Sequence, residues 1–561
     1  MSGIAVSTTM VVVASVVWAS NKGFDLSDEG SYVLGYQPYQ VSGVTLSSYH
    51  LIVRALLGFL TIDILTARLL RLMLTLAGLW LISRSLSAYA AEHHVRSYRP
   101  RVAFGVLATG MFYSYSFGPQ SLSYNHLTQF LAVVYCCCAI GITSRRSKQS
   151  MRFALATALG PVLVLMIQIK ATTGLGFLAC TGPLLWVAFG NSDRARTLAF
   201  GAHGVALLLS MVAYATFIQS PKEALEAFRT AKRFSQALPD YSWRSLGSDL
   251  AGFLGTALTL LSLFVVLLMV RTFLGRRTGS RVISDGLPVI AGLAVLGAWD
   301  ARTSLLHWAH GLYLPALCSI AAAITSCHER GWLSLRELPS AWVIQAPRVV
   351  VLILLYLSPI LIGFGSNNGT QVVAVVGAVF AFGLWLLATD APAESLGQRV
   401  LVLLVMGYAV WGIETNLVFR PYRQAPLGQQ TRALDFLPRN QSIRVDAETY
   451  EFVRRSYELV GRGAGPRRSI LALYRLPGLV YLLDGVSPGG LVWSEGTNAL
   501  IAENMRRWGG RGPDVIISEQ PEVNADLSSR FLANGLELRG RYGLLGKLSY
   551  RNRHYFFFSR L

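Results

Sequence analysis

The sequence predicts an α-helical polytopic membrane protein with a small α/β domain at its carboxyl end, and three observations carry that prediction. Of 561 residues, 53% are hydrophobic and only 14% are charged, a balance outside the range of ordinary soluble domains. The apolar residues gather into about thirteen runs long enough to cross ~30 Å of hydrocarbon. From about Arg420 that pattern gives way to shorter stretches with strand and helix periodicity. The chain therefore divides into a transmembrane domain, 1–419, and an extracytoplasmic α/β domain, 420–561.

The net charge of +20 raises nucleic acid as a partner, but the Lys and Arg residues fall in short clusters between apolar runs rather than along one stripe. These clusters are Arg96, Arg99 and Arg101; Arg145, Arg146, Lys148 and Arg152; Arg194 and Arg196; Arg276, Arg277 and Arg281; and Arg330, Arg336 and Arg348. They occupy alternate connections, as the positive-inside rule produces, and so put the amino terminus in the cytoplasm and the carboxyl-terminal domain outside. That is the disposition of a multi-pass protein of a bacterial inner membrane. Of the six cysteines, Cys136, Cys137 and Cys138 sit inside an apolar run as small core residues, and none has metal-knuckle or disulfide-framework spacing.

In chain order, Ile4 to Trp18 reads as an uncleaved first span, because no basic segment precedes it as in a signal peptide. Phe24 to Tyr32 follows, with Asp25, Asp28 and Glu29 at the mouth of a hydrophobic segment and Gly30 directly after them. Carboxylates beside a membrane are costly to dehydrate and face water, a cation or a substrate pathway; their plainer role is to cap or solvate the loop. Ser47 to Leu60, with His50 and Arg54, is too short and too polar at its flanks for a crossing and reads as an interfacial helix. Arg68 and Arg71, three apart at the outer end of the second span, share a helical face and either snorkel to lipid phosphates or grip an anionic ligand.

The other outward connections are sparse in charge. Pro119 to His126 packs Ser121, Ser123, Tyr124, Asn125 and His126 into one loop, as a helix cap or as substrate contacts. Lys170 breaks the basic-inside pattern, so it either snorkels or binds phosphate as a point charge. Gln219 to Asp249 carries Lys222, Arg229, Lys232 and Arg233 on a helical pattern with Phe228 and Phe234, which suits an amphipathic helix on anionic lipid or a mobile lid. Asp300 to Ser304, with Arg302, leads to His307 and His310 on one face, and Asn367-Asn368-Gly369 is a turn sequence. In the last domain, Ser442 to Val445, Asp514 to Ser518, Leu536 to Tyr542 and Tyr555 to Ser559 read as strands, and Glu448 to Leu459 as a helix.

Asp28-Glu29 in the first outward loop, the interfacial helix after it, the many spans and the external carboxyl-terminal domain together resemble the GT-C superfamily of integral membrane glycosyltransferases, which includes protein O-mannosyltransferases and aminoarabinose transferases. The likeness covers the architecture of the whole chain and only a few short stretches at residue level. It implies an inverting transfer of a sugar from a polyprenyl-phosphate donor lipid to a glycan, lipid or protein acceptor outside the membrane. It further implies that Asp28 is the catalytic base, supported by Glu29. Several members place His or Lys with two prolines near the donor phosphate; here His50 is followed by Leu51 and Ile52, a departure from that pattern. Arg68, Lys170 and Arg302 are candidates for the phosphate, and His50, Tyr124, Asn125 and His307 for other substrate contacts. The pair Asp28-Glu29 could also hold Mg²⁺ or Mn²⁺, although resemblance to monophosphate-carrier enzymes favours a metal-free site.

Two other classes fit a many-span chain. A transporter or lipid flippase usually shows midplane charges, broken helices or internal repeats, none of which is evident here. A non-catalytic cell-envelope assembly protein has no need of the Asp28-Glu29 pair.

Overall fold

The computed structural model describes residues 2–40, 47–93, 98–190, 192–237, 244–252, 338–366, 368–388, 409–437, 441–461, 467–488, 497–507, 512–521, 525–533 and 540–561, with a few isolated positions besides. Arg302 and His307, together with Asp300, His310 and the basic clusters Arg276 to Arg281 and Arg330 to Arg336, lie outside the described residues.

Among the described residues, seven helices are long and apolar enough to cross a membrane. These are α1 (Ser2–Ala19), α4 (Ile64–Glu92), α6 (Tyr124–Thr143), α7 (Gln149–Ile169), α8 (Ala171–Ala188), α9 (Asp193–Phe217) and the apolar part of α11 (Leu338–Gly363). Shorter apolar helices α5 (Pro100–Phe112) and α12 (Ala378–Ala388) pack among them. Local chemistry sets the starts: Asp63 accepts the Thr66 amide at 2.7 Å to cap α4, Ser192 caps α9, and Pro100 opens α5 where no amide partner is needed.

Three helices lie off this bundle. Helix α2 (Asp28–Gly35) begins at the acidic pair, and α3 (Tyr49–Leu57) buries Tyr49, His50, Ile52 and Val53. Leu56 of α3, and Phe59 and Leu60 just after its end, are exposed, as an interfacial helix requires. Helix α10 (Pro221–Ala237) exposes Leu225 and Phe228 beside its basic residues, and its Arg233 pairs with Glu503 at 3.0 Å.

The carboxyl-terminal part contains α13 (Ala447–Gly461), α14 (Pro477–Leu482), α15 (Asn498–Arg507) and α16 (Ala525–Ala533). Strands β1 (Arg432–Leu434) and β2 (Gln441–Val445) form one antiparallel pair. Strands β3 (Ile470–Leu473), β4 (Val515–Ser518), β5 (Tyr542–Tyr550) and β6 (Arg553–Arg560) form a sheet in the order β3-β4-β6-β5. Among the described strands only β3 and β4 pair in parallel, and α14 and α15 occupy the crossover between them. Of the strand expected over Leu536 to Tyr542, Leu536 and Arg539 lie outside the described residues; the strand described here, β5, starts at Tyr542 and runs on to Tyr550, where its partner β6 supplies the ladder.

The loops sort into two ends. At one end, Glu92 accepts from the Ser144 hydroxyl at 2.5 Å and the Arg145 amide at 2.6 Å, Arg152 binds the Ile142 and Ala188 carbonyls, and Arg196 binds the Gly190 carbonyl. At the other end, Tyr36 binds the Leu122 carbonyl, Ser48 binds Gln219, and Lys170 binds the Ile362 carbonyl. The carboxyl-terminal domain also sits at this second end. Arg444 of β2 exchanges backbone hydrogen bonds with the chain leaving α1, accepting from Gly23 and donating to Asn21. One hydrophobic core runs from Phe24, Leu26, Val33 and Leu34 into Val445, Phe452, Leu479, Tyr481 and Phe557. The acidic loop is thus embedded in the carboxyl-terminal domain rather than extended from the bundle.

Candidate active site

The three carboxylates of the acidic loop have different surroundings. Asp25 is buried and organises the turn into α2: Oδ1 accepts from the Ser27 amide and hydroxyl, and Oδ2 from the amides of Asp28 and Glu29. Burial and the neighbouring Asp28 push its carboxyl up to about 6, while the Ser27 hydrogen bonds pull the other way. It serves as a helix cap.

Glu29 is fully buried and forms a two-pronged pair with Arg68, Nε to Oε1 at 2.9 Å and Nη2 to Oε2 at 2.8 Å. Ser121 adds its amide and its hydroxyl, the latter at 2.6 Å, and the Asp25 amide completes the set. Burial opposes its charge, yet Arg68 and these donors hold the carboxyl below its ordinary value.

The rest of the Arg68 guanidinium donates to the carbonyls of Ala19, Ser20, Lys22 and Gly23. Arg68 therefore ties the end of α1 to the start of α2, its donors taken up by Glu29 and these carbonyls. Arg71 is equally enclosed, bonded to the Pro119 and Ser114 carbonyls and stacked 3.7 Å from the Tyr115 ring. Glu29 points into Arg68, while Asp28 meets Tyr422. Among the described residues, no group of three or more His, Cys, Asp or Glu side chains converges.

Asp28 is the carboxylate that faces out, with its side chain 34% exposed. Its Oδ2 accepts from the Tyr422 hydroxyl at 2.6 Å and lies 3.4 Å from Arg423 Nη1, while Oδ1 carries no further bond among the described residues. Tyr32, Tyr49 and Tyr124 surround it electrostatically, and each tyrosine packs on the others, with ring centroids 5.7 to 6.4 Å apart. Burial and the Asp28 charge push the Tyr32, Tyr49 and Tyr422 hydroxyls upward, so they remain neutral donors.

The remaining sequence candidates lie around this tyrosine wall. His50 is buried edge-on to Tyr49 at 5.6 Å, with neither ring nitrogen in a well-formed hydrogen bond, and burial with the Arg54 charge pushes its imidazole down to about 3. It can offer one donor and one acceptor, but no charge. Asn125 is buried with its Oδ1 unpartnered, and it and Ser366 lie beside the Tyr124 hydroxyl. Lys170 is buried between α7 and α8 with its Nζ 2.5 Å from the Ile362 carbonyl, and the adjacent chain reaches the Tyr49 helix through the Ser48 amide bonded to the Gln168 carbonyl.

Sequence reasoning missed Tyr422 and Arg423, which lie 394 and 396 residues from their partners Asp28 and Ser27. The one local signal was the polar Arg420-Pro421-Tyr422-Arg423 turn where the apolar pattern ends.

No family model matches the chain, and no curated protein does. Among solved structures, the chain is similar to the oligosaccharyltransferase of Archaeoglobus fulgidus in complex with zinc and sulfate, with a TM-score of 0.43 at 11% identity over 96% of this chain and 71% of that one. The apo form of that enzyme gives a TM-score of 0.43 at 13% identity over 98% and 74%. ArnT from Cupriavidus metallidurans bound to undecaprenyl phosphate gives a TM-score of 0.37 at 12% identity over 99% and 98%.

Proposed function

We propose that this protein is a membrane glycosyltransferase that moves a sugar from a polyprenyl-phosphate donor to an acceptor hydroxyl at the face carrying the acidic loop. The observation that supports it is the sorting of three neighbouring carboxylates into two enclosed structural groups and one exposed group among hydroxyl donors and a cation. A purely structural loop has no need to hold Asp28 in that setting. The likeness of Asp28-Glu29 and the interfacial helix to GT-C glycosyltransferases points to the same chemistry.

In this reading Asp28 takes the proton of the acceptor hydroxyl as the acceptor oxygen bonds to the anomeric carbon. The bond from that carbon to the phosphate oxygen breaks on the opposite face, its electron pair leaves with the phosphate, and the configuration inverts. Charge growing on the phosphate needs preorganised donors and cations. Lys170, a buried ammonium with one carbonyl partner among the described residues, is a candidate, as are His50 and Asn125 for neutral contacts. Glu29 acts at one remove, by fixing α2 and so the direction of Asp28.

The reading is tested in proteoliposomes by following a polyprenyl-phosphate sugar and a labelled acceptor together. A glycosyltransferase consumes the lipid-linked sugar and labels the acceptor on one side. Movement of intact lipid or solute without a new glycosidic bond would establish a transporter instead.

A further inference from the structure

Arg423 sits where the chain passes from the bundle to the carboxyl-terminal domain, just after the widened turn Thr415–Phe419. Its backbone has φ of 52°, a left-handed conformation that a non-glycine residue adopts only under constraint. The constraint is visible: Arg551 at the tip of the β5–β6 hairpin donates to the Arg423 carbonyl, and the Arg551 amide itself donates to Glu448 of α13. Arg551 and Asn552 both have positive φ, so the two-residue tip matches a type I′ turn and projects from the sheet in a defined direction. The folded carboxyl-terminal domain thus aims the Arg423 side chain at the acidic loop.

There the guanidinium donates to Ser27 Oγ at 2.6 Å through Nη1, stands 3.4 Å from Asp28 Oδ2 and lies over the Tyr422 ring at 4.7 Å. Its side chain is 41% exposed, and Nε and Nη2 make no hydrogen bond among the described residues. A planar fork with unused donors, next to an open face and held on an aromatic ring, is suited to an oxyanion. At the same time it stands 3.4 Å from Asp28 Oδ2, on the carboxylate that an acceptor hydroxyl would have to approach. Both properties belong to one side chain.

We propose that Arg423 is a donor-phosphate ligand that masks Asp28 in the unloaded protein and releases it when the phosphate of the donor lipid takes over the guanidinium. The proposal rests on the glycosyltransferase reading above and assigns the phosphate contact to the carboxyl-terminal linker. Binding of the anion and unmasking of the base are then a single movement, so the base becomes competent only with donor in place. Phosphate and Asp28 compete for one guanidinium, which gives the proposal a signature that a merely structural arginine lacks.

The test measures binding of undecaprenyl phosphate, against undecaprenol as the uncharged control, to the full-length protein in nanodiscs by native mass spectrometry. Arg423→Gln is expected to weaken phosphate-dependent binding about 10- to 100-fold. Arg423→Lys, which keeps the charge and loses the fork, falls between. Asp28→Asn, by freeing the guanidinium, tightens binding about 2- to 5-fold. If Arg423→Gln binds as the wild type does, the proposal is overturned and the lipid-phosphate reading stands. If Arg423→Gln weakens binding but Asp28→Asn leaves it unchanged, the handover is overturned. If the wild type fails to distinguish the phosphate from undecaprenol, the donor reading falls and takes the proposal with it.

Discussion

Asp28→Asn keeps the size and hydrogen bonding of the side chain and removes its capacity to take a proton, so transfer should fall by about 10²- to 10⁴-fold with the unfolding temperature little changed. Glu29→Gln should behave in the opposite way. It leaves the Arg68 guanidinium buried without its counter-charge, and breaking such a pair destabilises by about 3–5 kcal/mol. Thermal unfolding alongside turnover separates the two; equal loss of turnover at normal stability in both would make Glu29 a participant in the chemistry. Lys170 supplies a pH test. Burial pushes its ammonium down to about 7 from an ordinary 10.5, so the unfolded chain binds more protons between those values and stability rises with pH through that window. Lys170→Met should flatten the rise, read as the unfolding temperature between about pH 7.5 and 9.5. Superimposable profiles for the two proteins would show that the ammonium stays charged when folded.

At the scale of elements, the acidic helix is held by a backbone contact that tolerates no side chain. A Cβ on Gly30 of α2 would lie 2.2 Å from the Gly478 backbone of α14, and the Gly478 amide donates to the Leu26 carbonyl at 2.7 Å. Gly30→Ala must therefore push α2 and α14 apart, with an overpacking penalty of about 1–3 kcal/mol and loss of activity through the displaced Asp28 of α2. A cysteine pair across α2 and α14 that crosslinks in the parent and fails to in Gly30→Ala would confirm the displacement; normal stability and turnover would rule it out. The elements themselves were largely legible. The apolar runs, the interfacial helix, β2, α13 and β6 follow directly from hydrophobic period. What periodicity could not show is pairing. It read Arg68 as a free cation because a lone arginine near a span end looks the same whether it meets lipid phosphate or a glutamate 39 residues away. It could not find Arg423 because the contact is made by the packing of a separate domain, not by any local pattern.

For the whole molecule, the consequence of that packing is a strict two-ended arrangement. The acidic loop, the Gln120 to His126 connection, Lys170, α10 and the carboxyl-terminal domain share one end, while Arg145, Arg146, Arg152, Arg194 and Arg196 share the other. Basic connections are retained in the cytoplasm during insertion, so the acidic end should face outward, where a lipid-linked sugar and an external acceptor can both reach Asp28. The prediction is read with single cysteines at the exposed positions Lys222 and Ser442 and, from the other end, Ser150 and Arg194, in a chain whose six native cysteines are replaced. A membrane-impermeant maleimide applied to intact cells should label Lys222→Cys and Ser442→Cys and leave Ser150→Cys and Arg194→Cys untouched until the membrane is opened. Labelling of the basic pair alone would invert the orientation and place the site in the cytoplasm. A split between Lys222→Cys and Ser442→Cys would be more serious, since the Arg233 to Glu503 pair requires α10 and the carboxyl-terminal domain to meet on one side.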